Sequence, residues 1–112
     1  MRIPVRRAME VCPVEVGVSV VGGAWKLTII KNLLEGTQRF GELGRLIPLV
    51  NRKTLTRQLR ELEEDGIVTR SVYPEVPPKV EYSLTSLGSS LAPLVQVMNA
   101  WGETYERQHQ QR

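Results

Sequence analysis

One cysteine and one histidine are the whole thiol and imidazole inventory of this 112-residue chain. A lone Cys12 leaves no second thiol for an intramolecular disulfide, which agrees with a reducing compartment. His109 stands alone near the C-terminal end, so no His/Cys cluster with metal-ligand spacing is available and metal sensing is not expected. No base is paired with a nucleophile, and no Gly-rich loop is built to cradle phosphates, because Gly22-Gly23 reads only as a helix stop. Enzymatic activity is therefore argued against, and no cofactor is expected.

Long apolar runs are lacking too. The stretch from Val16 to Trp25 falls far short of the about 20 apolar residues that a bilayer-spanning helix takes. A basic Met1–Ala8 precedes it, but Glu10 and Glu15 intervene and Gly22-Gly23 break its end, so it does not read as a secretory segment. A cytoplasmic protein with no membrane partner is expected. No low-complexity tract or internal repeat is visible, and 41% hydrophobic with 24% charged residues is ordinary globular composition. A single domain over residues 1–112 is the expectation, since domains commonly hold about 100 to 150 residues.

The net charge of +3 is too small to identify a polyanion partner, but its distribution is informative. Arg39, Arg45, Arg52, Lys53, Arg57 and Arg60, with only Glu42 among them, precede the acidic cluster Glu61, Glu63, Glu64 and Asp65. From Asn51 to Arg60 there are four cations and no acid. A helix advances about 100° per residue. Leu55, Leu59 and Leu62 then share one face, while Lys53, Thr56, Arg57 and Arg60 lie on the opposite arc.

Helix signals order the rest. Pro13 opens a short Val-rich helix after Cys12, and Gly22-Gly23 close it. Ala24 to Glu35 reads as a core helix with Trp25, Ile29 and Leu33 on one stripe and Ile30 and Leu34 beside it, ended by Gly36. Thr37 is placed to cap a short helix Arg39–Leu46, whose inward residues are Phe40, Leu43 and Leu46 or Ile47. Pro48 ends it, Asn51 caps the next helix, and Gly66 stops that one after Asp65. Two helices joined by a tight turn, the second amphipathic and basic, make a helix-turn-helix.

Val68 to Tyr73 and Val80 to Leu84 alternate in polarity around Pro74-Glu75-Val76-Pro77-Pro78-Lys79, which predicts a β-hairpin with a stiff tip. Thr85 then caps a long helix, about residues 86–106, in which Leu87, Leu91, Leu94, Met98, Trp101 and Tyr105 are spaced 4, 3, 4, 3 and 4. Pro93 within that seam predicts either a kink or two helices joined end to end. The tail Arg107–Arg112 has no apolar residue to bury and is expected to fray. The fold class is thus mainly α with a small β-hairpin: a winged helix-turn-helix with a long C-terminal dimerisation helix.

Five segments carry a family resemblance: Cys12-Pro13-Val14-Glu15, Gly22-Gly23-Ala24-Trp25, Arg39-Phe40-Gly41-Glu42-Leu43, the run from Leu55 to Gly66, and the hairpin from Tyr73 to Thr85. In that order they resemble the HxlR-type (MarR-like) bacterial transcription regulators over roughly Cys12 to Gly102. The resemblance implies a homodimer on operator DNA, a recognition helix (here about 51–65) in the major groove, and a wing (about 68–84) near the backbone or minor groove. Where such regulators usually cap the recognition helix with Ser, this chain has Asn51 followed by Arg52, which preserves capping. Some regulators of this type also sense oxidants or electrophiles through a Cys at the position of Cys12.

The residues support the same roles on physical grounds. A major groove admits one helix whose exposed N-terminal residues reach base edges, so Arg52, Lys53, Thr56 and Arg57 are the candidates. Lys53 and Thr54 or Thr56 are equally placed to hold phosphates, with Arg60 further along the same arc. Lys79, and more weakly Arg70, are the wing's candidate DNA contacts. Pairing of the last helix with a second copy would bury Leu91, Leu94, Met98 and Trp101 and set two recognition helices about 34 Å apart, suiting a near-palindromic site. At a helix start with Arg6 and Arg7 near in sequence, Cys12 is placed for reactivity; the competing reading is a half-buried side chain near the dimer contact. The expectation is a sequence-specific DNA-binding regulator, with a small-molecule or electrophile inducer as a candidate further partner. The main alternative is a winged-helix protein-interaction module, which has no general need of four cations at the start of that helix.

Overall fold

The computed structural model describes residues 3–110. A short helix α1 (Val5–Met9) leads into α2 (Pro13–Val21), which begins with Pro13 at its first position, where a missing N–H costs nothing. At five residues α1 is too short to show a period, and no sequence signal marks it. Met1, in the basic N-terminal stretch, lies outside the described residues. α3 (Lys26–Leu33) buries Ile29, Ile30 and Leu33 at the centre of the molecule. It starts later than the periodicity suggests, because Trp25, at the N-cap position, adopts a left-handed φ of 85°. Trp25 is consequently half-buried at the core's edge, and Leu34, at the C-cap, is exposed.

A two-residue strand β1 (Gln38–Arg39) precedes α4 (Phe40–Leu46). Pairing of β1 keeps the chain extended through Arg39, so Arg39 rather than Thr37 takes the N-cap position, its backbone N–H donating to Glu42 Oε1 at 2.7 Å. Of the two candidates for α4's last inward residue, Ile47 is buried and Leu46 exposed. α5 (Arg52–Glu64) has the expected limits, and both follow from local chemistry. Asn51 Oδ1 accepts from Thr54 N–H at 2.7 Å, and Gly66, at φ 76°, reverses the chain so that Ile67 N–H reaches Leu62 O and Gly66 N–H reaches Glu63 O.

The hairpin strands β2 (Val68–Tyr73) and β3 (Lys79–Leu84) pair antiparallel from Val68 opposite Leu84 to Tyr73 opposite Lys79. β1 adds to the far side of β3, Gln38 opposite Tyr82, giving the order β1-β3-β2 and a sheet of three strands rather than a bare hairpin. Thr85 caps α6 (Ser86–Ser89), accepting from Gly88 N–H at 3.0 Å and donating to Gly66 O at 2.6 Å. The long helix α7 (Ala92–Gln110) then starts afresh. Pro93 is thus the mark of two helices end to end, sitting in the first turn of α7 where it breaks no hydrogen bond. The helix runs on through Gln110 instead of fraying at Arg107; residues 111 and 112 lie outside the described residues.

The core joins α3, α4 and α5 to the inner face of the sheet through Ile30, Leu43, Leu55, Leu59, Leu62 and Tyr82. α7 contributes Val95 to it. Among the described residues no single helix is long and apolar enough to cross a membrane.

Candidate nucleic-acid interface

α5 is held down by Leu55, Leu59 and Leu62, each at most 1% exposed, and by Gln58 beside them. Arg52, Lys53, Thr56, Arg57 and Arg60 are exposed on the other side, and Thr54 is half-buried at the edge of the arc. The amphipathic division read from the sequence is therefore present, with Gln58 as an unforeseen inward polar residue. At the N-terminal end the free backbone N–H groups and helix dipole add positive potential to the same surface.

Two of the four acids at the far end are paired away from that arc. Glu61 turns inward, its Oε1 lying 2.6 Å from the ammonium of Lys26, which is 1% exposed. Glu63 faces Arg70 of β2 at 3.7 Å. In the sequence Glu61 stands simply as the first member of the acidic cluster. The only available signal was Lys26 beside the apolar stripe of α3, and nothing in the spacing ties the two residues together. Arg70 joins the wing's base to the end of α5 and stands away from the wing tip.

Individual side chains of the arc differ in freedom. The Arg52 guanidinium lies over the Phe40 ring, 5.0 Å from its centroid, so α4 orients it. Thr56 donates its hydroxyl hydrogen to Arg52 O at 2.8 Å, which leaves its methyl and oxygen lone pairs to face outward. At the wing, Lys79 lies 3.6 Å from Glu81 and 4.6 Å from the centre of the Tyr73 ring, at the foot of the turn. The turn itself, Pro74 to Pro78, is exposed, with Val76 fully so. In the middle of the sheet, opposite Arg70 and Gln38, burial holds the Tyr82 phenol above its ordinary 10.0, with Arg70 pulling it down, Glu63 pushing it up and Arg60 pulling it down.

Of the four residues expected to pair with a second copy, Leu94, Met98 and Trp101 are exposed along α7, with Tyr105 continuing the row. Leu91 instead packs against the protomer's own core. Cys12 is half-buried at the N-cap of α2, and Arg7 is engaged by Glu10 at 3.5 Å.

The family model for the HxlR-like helix-turn-helix matches residues 20–110. The chain is 52% identical over 95 residues to YybR, an HTH-type transcriptional regulator of Bacillus subtilis, covering 85% of this chain and 76% of that protein. Among solved structures it resembles the redox regulator HypR in its oxidised form, with a TM-score of 0.79 and 52% identity over 83% of this chain and 96% of the other. It also resembles the reduced form of the transcriptional regulator YodB from B. subtilis, with a TM-score of 0.73 and 41% identity over 84% and 93%. These are regulators and not enzymes, and their winged-helix architecture is the one described above. The chain belongs to the HxlR-like helix-turn-helix family of DNA-binding transcriptional regulators.

Proposed function

We propose that the protein acts in the cytoplasm as a homodimer that reads a near-palindromic operator, one α5 helix in each of two successive major grooves and each wing beside the flanking backbone. The observation that carries this reading is the arc of Arg52, Lys53, Arg57 and Arg60 opposite a fully buried leucine face, with Glu61 and Glu63 of the neighbouring acids drawn off by Lys26 and Arg70. Arg57, free of any aromatic stack, is assigned to a base edge; Lys53 and Thr54 are assigned to phosphates, and Lys79 to the backbone at the wing. Support for the dimer comes from the exposed row Leu94, Met98 and Trp101, an apolar stripe that a single copy leaves in water. Selection of bound sequences from random duplex DNA tests the reading: an enriched inverted repeat is expected, and absence of enrichment at low salt would overturn it in favour of a protein-interaction module.

We further infer that Cys12 makes the regulator responsive to oxidants, a reading supported by its place at a helix start and by the redox role stated for HypR. With one thiol per chain, any protein disulfide must join two chains. Two Cys12 thiols give up two electrons and two protons to peroxide, one S–S bond forms, and two waters leave. Peroxide is expected to release the wild-type protein from its DNA and to produce a cross-linked pair on a non-reducing gel. Release that persists unchanged in Cys12→Ser overturns the assignment.

A further inference from the structure

The turn from Gly22 to Trp25 does not lie flat on the recognition helix. Between them is an open cavity of about 770 Å3, walled by Val18 of α2, by Trp25 and Lys26 at the start of α3, and by Thr54, Arg57 and Gln58 of α5. Small-molecule sites commonly occupy about 300–1,000 Å3. Two enclosed polar atoms of the wall have no hydrogen-bond partner among the described residues: Lys26 Nζ, which has the Glu61 carboxylate as its ion-pair partner, and Oε1 of Gln58, which is 6% exposed and has no counterpart at all. Buried amide oxygens almost always have a donor, so an orphan at the wall of a cavity marks a place where one is supplied from outside.

The remaining chemistry narrows what supplies it. Lys26 is already compensated by Glu61 at 2.6 Å, Arg57 is exposed and Glu15 of α2 only half-buried, so no fully enclosed charge in the wall asks for a counter-ion. Val18 and the Trp25 ring offer apolar surface next to the amide. We propose that this cavity is an effector site for a small neutral molecule that combines a flat apolar body with one hydrogen-bond donor, the donor going to Gln58 Oε1 and the body lying against Val18 and Trp25. Thr54 and Arg57 belong both to the cavity wall and to the helix assigned to the major groove, so occupancy couples to DNA affinity. The coupling rests on the DNA-reading proposal; the binding itself does not.

Indole and 1-methylindole make the probe pair, since they share a body and only indole carries the donor. Titrated into the full chain and followed by nitrogen-15 NMR, indole is expected to move the Trp25 indole and Gln58 side-chain signals. It should bind about tenfold more tightly than 1-methylindole, a difference of about 1.4 kcal/mol. Gln58→Leu should erase that preference while both compounds still bind. Val18→Trp should crowd the part of the cavity beside Trp25 and Gln58 and weaken binding of both, and it carries the test if Gln58→Leu fails to fold. Equal binding of the two probes to the wild type overturns the proposal, as do shifts confined to the Leu94, Met98 and Trp101 face or no shifts at millimolar concentration. Indole shifts at Trp25 and Gln58 in a protein that selects no DNA sequence uphold the site and sink the operator reading. Weakening of the selected DNA complex by indole in the wild type and not in Val18→Trp supports both.

Discussion

Lys26 and Glu61 illustrate how one side chain can fix the attitude of a helix, here α5. The Lys26 ammonium is enclosed, whereas the Glu61 side chain keeps 27% of its surface in water, so the two partners are not equivalent. Removing the carboxylate strands a charge that water cannot reach; removing the ammonium leaves one that water can. Glu61→Gln is therefore expected to cost about 3 kcal/mol and Lys26→Met about 1 kcal/mol in urea unfolding. Equal losses would show that the pairing is not what matters there. Arg57 and Lys79 should separate in another way. Arg57→Ala is expected to cost about 1–3 kcal/mol in DNA affinity and relax the preference at one base position, while Lys79→Ala weakens all sequences alike and lowers the salt slope by about one. Tyr82 adds a pH effect. Its folded pKa is raised above 10.0, so the unfolded chain loses the phenol proton first and stability falls as pH rises from about 10. Tyr82→Phe should flatten that alkaline decline in a chemical-denaturation series.

At the scale of elements, legibility followed locality. The limits of α5 were readable because Asn51 and Gly66 act on backbone groups within a few residues of themselves. β1 was not, since a two-residue strand exists only through its pairing with β3, and that pairing in turn displaced the cap of α4 from Thr37 to Arg39. The seam from Leu87 to Tyr105 spans both α6 and α7, yet Val95, outside it, is α7's residue in the core, while Asn99 accepts from Lys31 at 3.1 Å. Periodicity identifies an apolar stripe without saying whether it faces the same chain or another. Packing between elements also sets a demand no pattern revealed: a Cβ on Gly88 would lie 2.2 Å from Ile67 O, because α6 is pressed against the start of β2. Gly88→Ala should lose about 1–3 kcal/mol in thermal unfolding. Gly44→Ala, with nothing within 4 Å of the added carbon, should gain about 0.5–1 kcal/mol from helix propensity.

For the whole molecule, the exposed row on α7 and the cationic arc on α5 become one device if two copies pair, because a two-fold axis that buries the first duplicates the second. The two properties can then be tested against each other. Leu94 and Met98 are 39% and 49% exposed in the protomer, so Leu94→Asp with Met98→Asp should spare the protomer's own core, which circular dichroism would verify. Light scattering should find the wild type dimeric and the double variant monomeric at micromolar concentration. The logarithm of DNA affinity falls with the logarithm of salt concentration in proportion to the number of phosphates neutralised. A monomer presents one arc where the dimer presents two, so its slope between about 50 and 200 mM salt should be about half that of the wild type. A variant that is monomeric yet keeps the full slope would separate DNA binding from pairing and leave the α7 face without its assigned role.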